Sequence, residues 1–106
     1  MVRRGEVWLA SLDPTIGLEI QKTRPCLIIS PDTLNDHLST VTIAPMTSGS
    51  RPARFRVETT FEGIDGFVLP EQSRAVDKRR LIRRLGVLDN TALRQVLAIL
   101  VKFYTE

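Results

Sequence analysis

Residues 24–32 read Arg24-Pro25-Cys26-Leu27-Ile28-Ile29-Ser30-Pro31-Asp32, and this stretch decides the fold. Its centre, 26–29, is continuously apolar and rich in branched side chains, which suits a central strand of a sheet. Ser30-Pro31-Asp32 closes it with turn chemistry. Working outward, 6–12 (Glu6-Val7-Trp8-Leu9-Ala10-Ser11-Leu12) alternates apolar and polar, as a half-buried strand does. Asp13-Pro14-Thr15-Ile16-Gly17 then turns the chain, with proline fixing φ and glycine permitting φ > 0. Val41-Thr42-Ile43-Ala44 is a third strand, expected to stop at Pro45. Further strands are expected at 55–59, 66–69, 72–76 and 81–85. Strands at this spacing, with Gly and Pro turns and no helix between them, predict a mainly β, small antiparallel barrel.

The C-terminus changes period. Asp89 or Asn90 is a candidate N-cap, and no Gly or Pro follows it as far as Tyr104. Ala92, Leu93, Val96, Leu97, Ile99, Leu100, Phe103 and Tyr104 recur at helical spacing, with Thr91, Arg94, Gln95 and Lys102 on the other side. This apolar face is wide enough to cover one side of the barrel and to contribute to a subunit contact.

Composition sets the frame. The 106 residues are 42% hydrophobic and 25% charged, which fits one ordinary domain spanning 1–106. The single cysteine, Cys26, forms no internal disulfide and supplies no zinc site, and its strand position marks it as a small buried hydrophobe. No apolar run approaches the ~20 residues of a membrane span, and the first residues lack a signal peptide's apolar stretch, so a cytoplasmic location and no membrane partner are expected.

Charge is more informative. Fifteen basic residues face twelve acidic ones, and twelve of the fifteen are arginine. Arginine's planar fork grips phosphate in two places. One cluster runs from Arg74 to Arg84, and a second comprises Arg51, Arg54 and Arg56. Nucleic acid fits that pattern, and so does a solvated face with scattered ion pairs.

Most catalytic signatures are missing. His37 is the only histidine and sits in a polar stretch, and there is no Gly-x-Ser-x-Gly elbow or phosphate-cradling glycine loop. What remains is polar residues at strand ends. Glu19, Gln21, Lys22, Thr23 and Arg24 precede the central strand, and Met46-Thr47-Ser48-Gly49-Ser50 with Arg51 follows the third. Each reads alone as a hydrophilic loop. Together they could form a groove holding an arginine, hydroxyls and a carboxylate. Cleavage of an RNA backbone by its own 2′-OH uses such parts, with no metal or cofactor.

Four segments carry a family resemblance. They are R-G-E-V-W-L-A-S-L-D-P-T-I-G-L-E (4–19), K-T-R-P-C-L-I-I-S-P (22–31), A-P-M-T-S (44–48) and L-P-E-Q-S-R-A-V-D-K-R-R-L (69–81). In this order, over essentially the whole chain, they strongly resemble the MazF/PemK/Kid toxins. The resemblance implies an SH3-like barrel with a C-terminal helix (the fold shared with CcdB toxins), assembled as a homodimer. It implies a sequence-specific, metal-independent endoribonuclease toxin of a type II toxin–antitoxin module. Such an enzyme cleaves single-stranded messenger RNA to 2′,3′-cyclic phosphate and 5′-hydroxyl ends. The implied partner is a cognate MazE-like antitoxin with an acidic tail.

By the motif match, Arg24 and Thr47 stand at the family's catalytic arginine and threonine, and Glu19 at a loop carboxylate. Gln21, Lys22, Thr23, Ser48, Arg51 and Arg54 are the expected RNA-binding residues. One branch of the family has a histidine before the loop carboxylate and an arginine–aspartate pair before the Gln-x-Arg segment. This chain has Leu18, Leu69 and Glu71 there, so the mechanism of that branch does not transfer. The alternative function is that of a CcdB-like gyrase poison, which engages its target through an aromatic C-terminal tip. Lys102-Phe103-Tyr104-Thr105-Glu106 has no terminal tryptophan, and Arg24 and Thr47 are both present. A non-catalytic RNA-binding module is a third reading.

Overall fold

A computed structural model describes residues 1–12 and 22–105. The strands are β1 (Glu6–Ser11), β2 (Thr23–Ile28), β3 (Thr40–Thr47), β4 (Val57–Phe61), β5 (Ile64–Val68), β6 (Arg74–Asp77) and β7 (Leu81–Val87). Helices α1 (Asp32–Asn35) and α2 (Asn90–Phe103) and two short 3-10 turns complete the described elements. All seven strands join one antiparallel sheet in the order β4-β5-β3-β2-β1-β7, with β6 paired to β3.

The sheet curls until its ends meet. Strand β4 is one end of the order and β7 the other, yet a Cβ placed on Gly86 would lie 3.1 Å from Cζ of Phe61. Glycine at 86 lets that ring close the gap. The result is the expected mainly β, barrel-like shell with a C-terminal helix. Each of its faces carries its own core. Val7, Leu27, Ala44, Met46, Val57 and Val68 pack under Ala92 and Val96 of α2. Ala10, Cys26, Ile28, Val41, Ile43 and Val76 pack on the other side with Trp8 and Leu81. Burial pushes the Cys26 thiol up to about 12, so it stays protonated and inert at neutral pH.

Several boundaries differ from the sequence expectation. Strand β3 does not stop at Pro45 but runs through it to Thr47. The reason is local. Residues 40–43 of β3 pair with β6, whereas Met46 and Thr47 pair with β5. The Pro45 carbonyl accepts from Leu69 N–H at 2.9 Å, so its missing N–H would also point to that edge, at the changeover between two partners. No ladder bond is lost. Strand β2 likewise begins before Pro25, so Thr23 and Arg24 lie on a strand rather than in a loop. The one-turn α1 interrupts the β region, where no helix was expected. Helix α2 begins as expected, with the Asp89 carboxylate accepting from Thr91 and Ala92 N–H groups.

The Arg74–Arg84 cluster is largely structural. Arg74 donates to the Leu12 carbonyl (3.1 Å) and Arg80 to that of Ser11 (3.3 Å). Both fix the end of β1, where Leu12 N–H also bonds the Lys22 carbonyl at 2.9 Å. Lys78 donates to the Asn35 carbonyl, and Arg79 forks onto Asp77. The Asp77 side chain also caps a 3-10 turn through Arg79 N–H. Arg84 reaches Glu6 at 2.8 Å.

Glu6 is the buried carboxylate of this network. It accepts from Arg3 N–H (2.8 Å), Trp8 Nε1 (3.1 Å) and Arg84 Nε (2.8 Å). Burial alone raises its pKa, but the three donors and the Arg84 charge together outweigh burial and hold it below the ordinary carboxylate value. The contribution of Glu6 to stability is therefore complete above its unfolded pKa, about 4.3, and is lost as pH falls through the lower folded value. Urea unfolding of Glu6→Gln should show lower stability at pH 7 and a shallower loss between about pH 5 and 3 than the parent. Parallel curves over that range would exclude this role for Glu6.

Candidate functional site

The site begins at a register. Strands β2 and β3 pair Leu27 with Ala44 and Cys26 with Pro45. Because Pro45 directs its polar groups to its other edge, Cys26–Pro45 is a pair without mutual hydrogen bonds, the closer kind in an antiparallel ladder. This pair ends the ladder between the two strands. Two residues beyond it on each strand, the alternation of the pleat puts Arg24 and Thr47, 23 positions apart in sequence, on the same face.

Both residues line one cleft of about 190 Å³, together with Pro25, Met46, Ser48, Thr59, Phe61, Glu62, Leu85 and 64–67. Arg24 is half-buried. Its Nε is buried and has no hydrogen-bond partner among the described residues. An orphaned buried donor costs about 1–3 kcal/mol, more when charged, so an acceptor placed there is favoured. An anion entering the cleft would supply it. The Thr47 hydroxyl accepts from Gly49 N–H at 3.2 Å, which leaves its own proton free to donate to the same anion.

Strand β5 holds Thr47 in place. Thr47 pairs with Phe67, and the neighbouring Gly66 lies so close that a Cβ there would come within 2.5 Å of the Thr47 carbonyl oxygen. Only glycine fits. Gly66 was missed as a site-supporting residue in the sequence, although a glycine inside a strand is the signal for such a backbone approach.

The remaining expected site residues fall in three groups. Glu19 and Gln21 lie outside the described residues. Lys22 and Thr23 are exposed at the mouth of β2, Lys22 with positive φ (67°). Ser48, Arg51 and Arg54 are exposed on the segment after β3. Arg56 is not available with them. It is tied to Glu71 (2.7 and 2.8 Å), to the Arg51 carbonyl (3.0 Å) and over the Phe55 ring. This clamp fixes the segment that presents Arg51 and Arg54. His37, on an exposed turn, contacts the Thr33 carbonyl at 2.7 Å, away from the cleft residues. No group of three or more His, Cys, Asp and Glu side chains among the described residues is placed to hold a metal ion. No described helix is long and apolar enough to cross a membrane.

Comparison with known proteins agrees with the fold. Residues 3–104 match the model of the PemK-like, MazF-like toxins of type II toxin–antitoxin systems. The chain is 41% identical to the endoribonuclease PemK of Escherichia coli, over 91% of this chain and 77% of the relative. It is 36% identical to the endoribonuclease MazF of Staphylococcus epidermidis, over 91% and 85%. The crystal structure of MazF from Deinococcus radiodurans superposes with a TM-score of 0.88 at 26% identity, covering 97% of this chain and 96% of that one.

The close approach at Gly66 is directly testable. Gly66→Ala should destabilise the protein by about 1–3 kcal/mol, as overpacking does. A drop of at least about 4 °C in melting temperature is expected. The largest amide chemical-shift changes should fall on Thr47 and Ser48. An unchanged melt with unmoved Thr47 and Ser48 resonances would show that the backbone contact is absent.

Proposed function

The chain belongs to the PemK-like, MazF-like toxins of type II toxin–antitoxin systems, and from that premise we propose that it cleaves single-stranded RNA with Arg24 and Thr47. The observation that carries this reading is that one cleft holds both residues, with a guanidinium nitrogen that has no partner among the described residues and a free hydroxyl proton. The 2′-oxygen attacks the adjacent phosphorus, forming the O2′–P bond as the P–O5′ bond breaks. The products are a 2′,3′-cyclic phosphate and a 5′-hydroxyl, with no metal or cofactor taking part. The Arg24 guanidinium stabilises the charge of the five-coordinate phosphorane, and Thr47 donates to one of its oxygens. Glu19, matched to the family's loop carboxylate, takes the 2′-hydroxyl proton, and a water protonates the leaving 5′-oxygen. Lys22, Thr23 and Ser48 line the approach, Gln21 binds RNA by the motif match, and Arg51 and Arg54 contact the RNA backbone without reading sequence.

The toxin acts as a homodimer in the cytoplasm, where messenger RNA is met. Exposed Ile82 and Val87 on β7, with Val101, Phe103 and Tyr104 at the end of α2, support a subunit contact. The partner antitoxin presents an acidic tail that competes with RNA for the same arginines.

Purified protein incubated with RNA in EDTA should leave 5′-hydroxyl ends, and a parallel gyrase supercoiling assay should be unaffected. Arg24→Ala should lower the rate about 100–1,000-fold while leaving the fold intact. Thr47→Ala should follow in the same direction, and Thr47→Ser should retain more activity. Arg51→Gln and Arg54→Gln should raise KM for all RNAs alike. An Arg24→Ala protein that cuts at the parental rate, or activity abolished by EDTA, would overturn the mechanism. Light scattering at micromolar concentration should give twice the chain mass. A fully active monomer would contradict the assembly.

A further inference from the structure

The face that carries Thr47 continues outward across the sheet. Thr47 pairs with Phe67 on β5, and Phe67 pairs with Glu58 on β4. Direct cross-strand partners project from the same face, so Thr47, Phe67 and Glu58 form one row across three strands, and Arg24 adds a cation at its cleft end. Adjacent strands lie about 4.8 Å apart, which places the Phe67 ring one strand from Thr47 and the Glu58 carboxylate two. Phe67 is half-buried and Glu58 exposed. Among the described residues, nothing bonds to the Glu58 carboxylate.

This row has a chemical order: cation, hydroxyl, aromatic ring, carboxylate. The first two suit a phosphate, but the last two do not. Phe67 offers a phosphate no donor, and Glu58 repels it. A strand whose phosphate sits at Arg24 and Thr47 must therefore turn a base, not its backbone, toward Phe67. Every base has a π-face, and aromatic side chains are the usual stacking surface for single strands. The edge of a base lying on that ring falls beside Glu58. A carboxylate only accepts hydrogen bonds, so it favours bases with an exocyclic amine. Uracil has none, and its ring N–H is flanked by two carbonyl oxygens.

We infer that Phe67 stacks the nucleobase next to the scissile phosphate and that Glu58 accepts from the exocyclic amine of that base. The inference rests on the endoribonuclease reading, and it gives this face a role in base selection.

Binding of labelled 2′-O-methyl A6, C6 and U6 hexamers tests it without cleavage, since these have no 2′-hydroxyl to attack. The parent protein should bind A6 and C6 about tenfold tighter than U6. Glu58→Gln should reduce that preference to within about twofold. Phe67→Leu should weaken all three by about tenfold, and Phe67→Tyr, which keeps the ring, should bind as the parent does. Sedimentation of each variant is measured alongside. Equal binding by Phe67→Leu, or a preference unchanged in Glu58→Gln, overturns the proposal. So does loss of binding that accompanies dissociation of the oligomer, which would make Phe67 an assembly residue. Failure of the parent to cut natural RNA would overturn the nuclease reading, while the hexamer result would still decide this one.

Discussion

Strand β3 makes hydrogen bonds to three different strands over eight residues, and the rest of the molecule is arranged around that sharing. Its one edge serves β6 and then β5, while the other serves β2. The switch between β6 and β5 falls at Pro45, the residue that has no N–H to lose there. Because Pro45 turns its carbonyl away from β2, the Cys26–Pro45 pair that ends this ladder is of the close kind, and the two strands lead from it to Arg24 and Thr47 in one cleft. The site's geometry is thus set by a backbone register rather than by any bond between its two polar side chains. A one-residue slip of β2 against β3 would put Arg24 on the opposite face from Thr47. The buried neighbours Cys26, Leu27 and Ile28 resist such a slip, since it would exchange the residues that face the two cores.

The arginines divide by what surrounds them. Those between Arg74 and Arg84 mostly meet carbonyls or carboxylates already present in the fold, and two of them fasten the end of β1 at Ser11 and Leu12. Arg56 is consumed by Glu71 and the Arg51 carbonyl. Arg24 keeps a buried Nε with no partner among the described residues, and Arg51 and Arg54 are exposed.

Glycine and aromatic residues complete the shell by complementary means. Gly66 lets β5 approach the Thr47 backbone, and Gly86 makes room for the Phe61 ring that joins the sheet's two ends. Both contacts depend on an absent side chain, so they are felt as packing rather than as attraction.

The sequence by itself determined the mainly β shell, the terminal helix with a cap at Asp89 or Asn90, and the burial of Cys26. These follow from local period and capping, which a single chain displays. The family resemblance added Arg24 and Thr47 as a pair. Tertiary structure alone decided how they meet, because a register between strands depends on partners distant in sequence. It also decided that β3 passes through Pro45, since whether a missing N–H matters depends on which edge it faces. The fate of each arginine was likewise undecided in the sequence. A run of like charges reads as a surface until the carbonyls of Ser11 and Leu12 and the carboxylates of Glu6 and Glu71 are brought beside it. Pairing over long sequence separations is the step that local patterns do not encode, and here it separates structural charge from charge left to act.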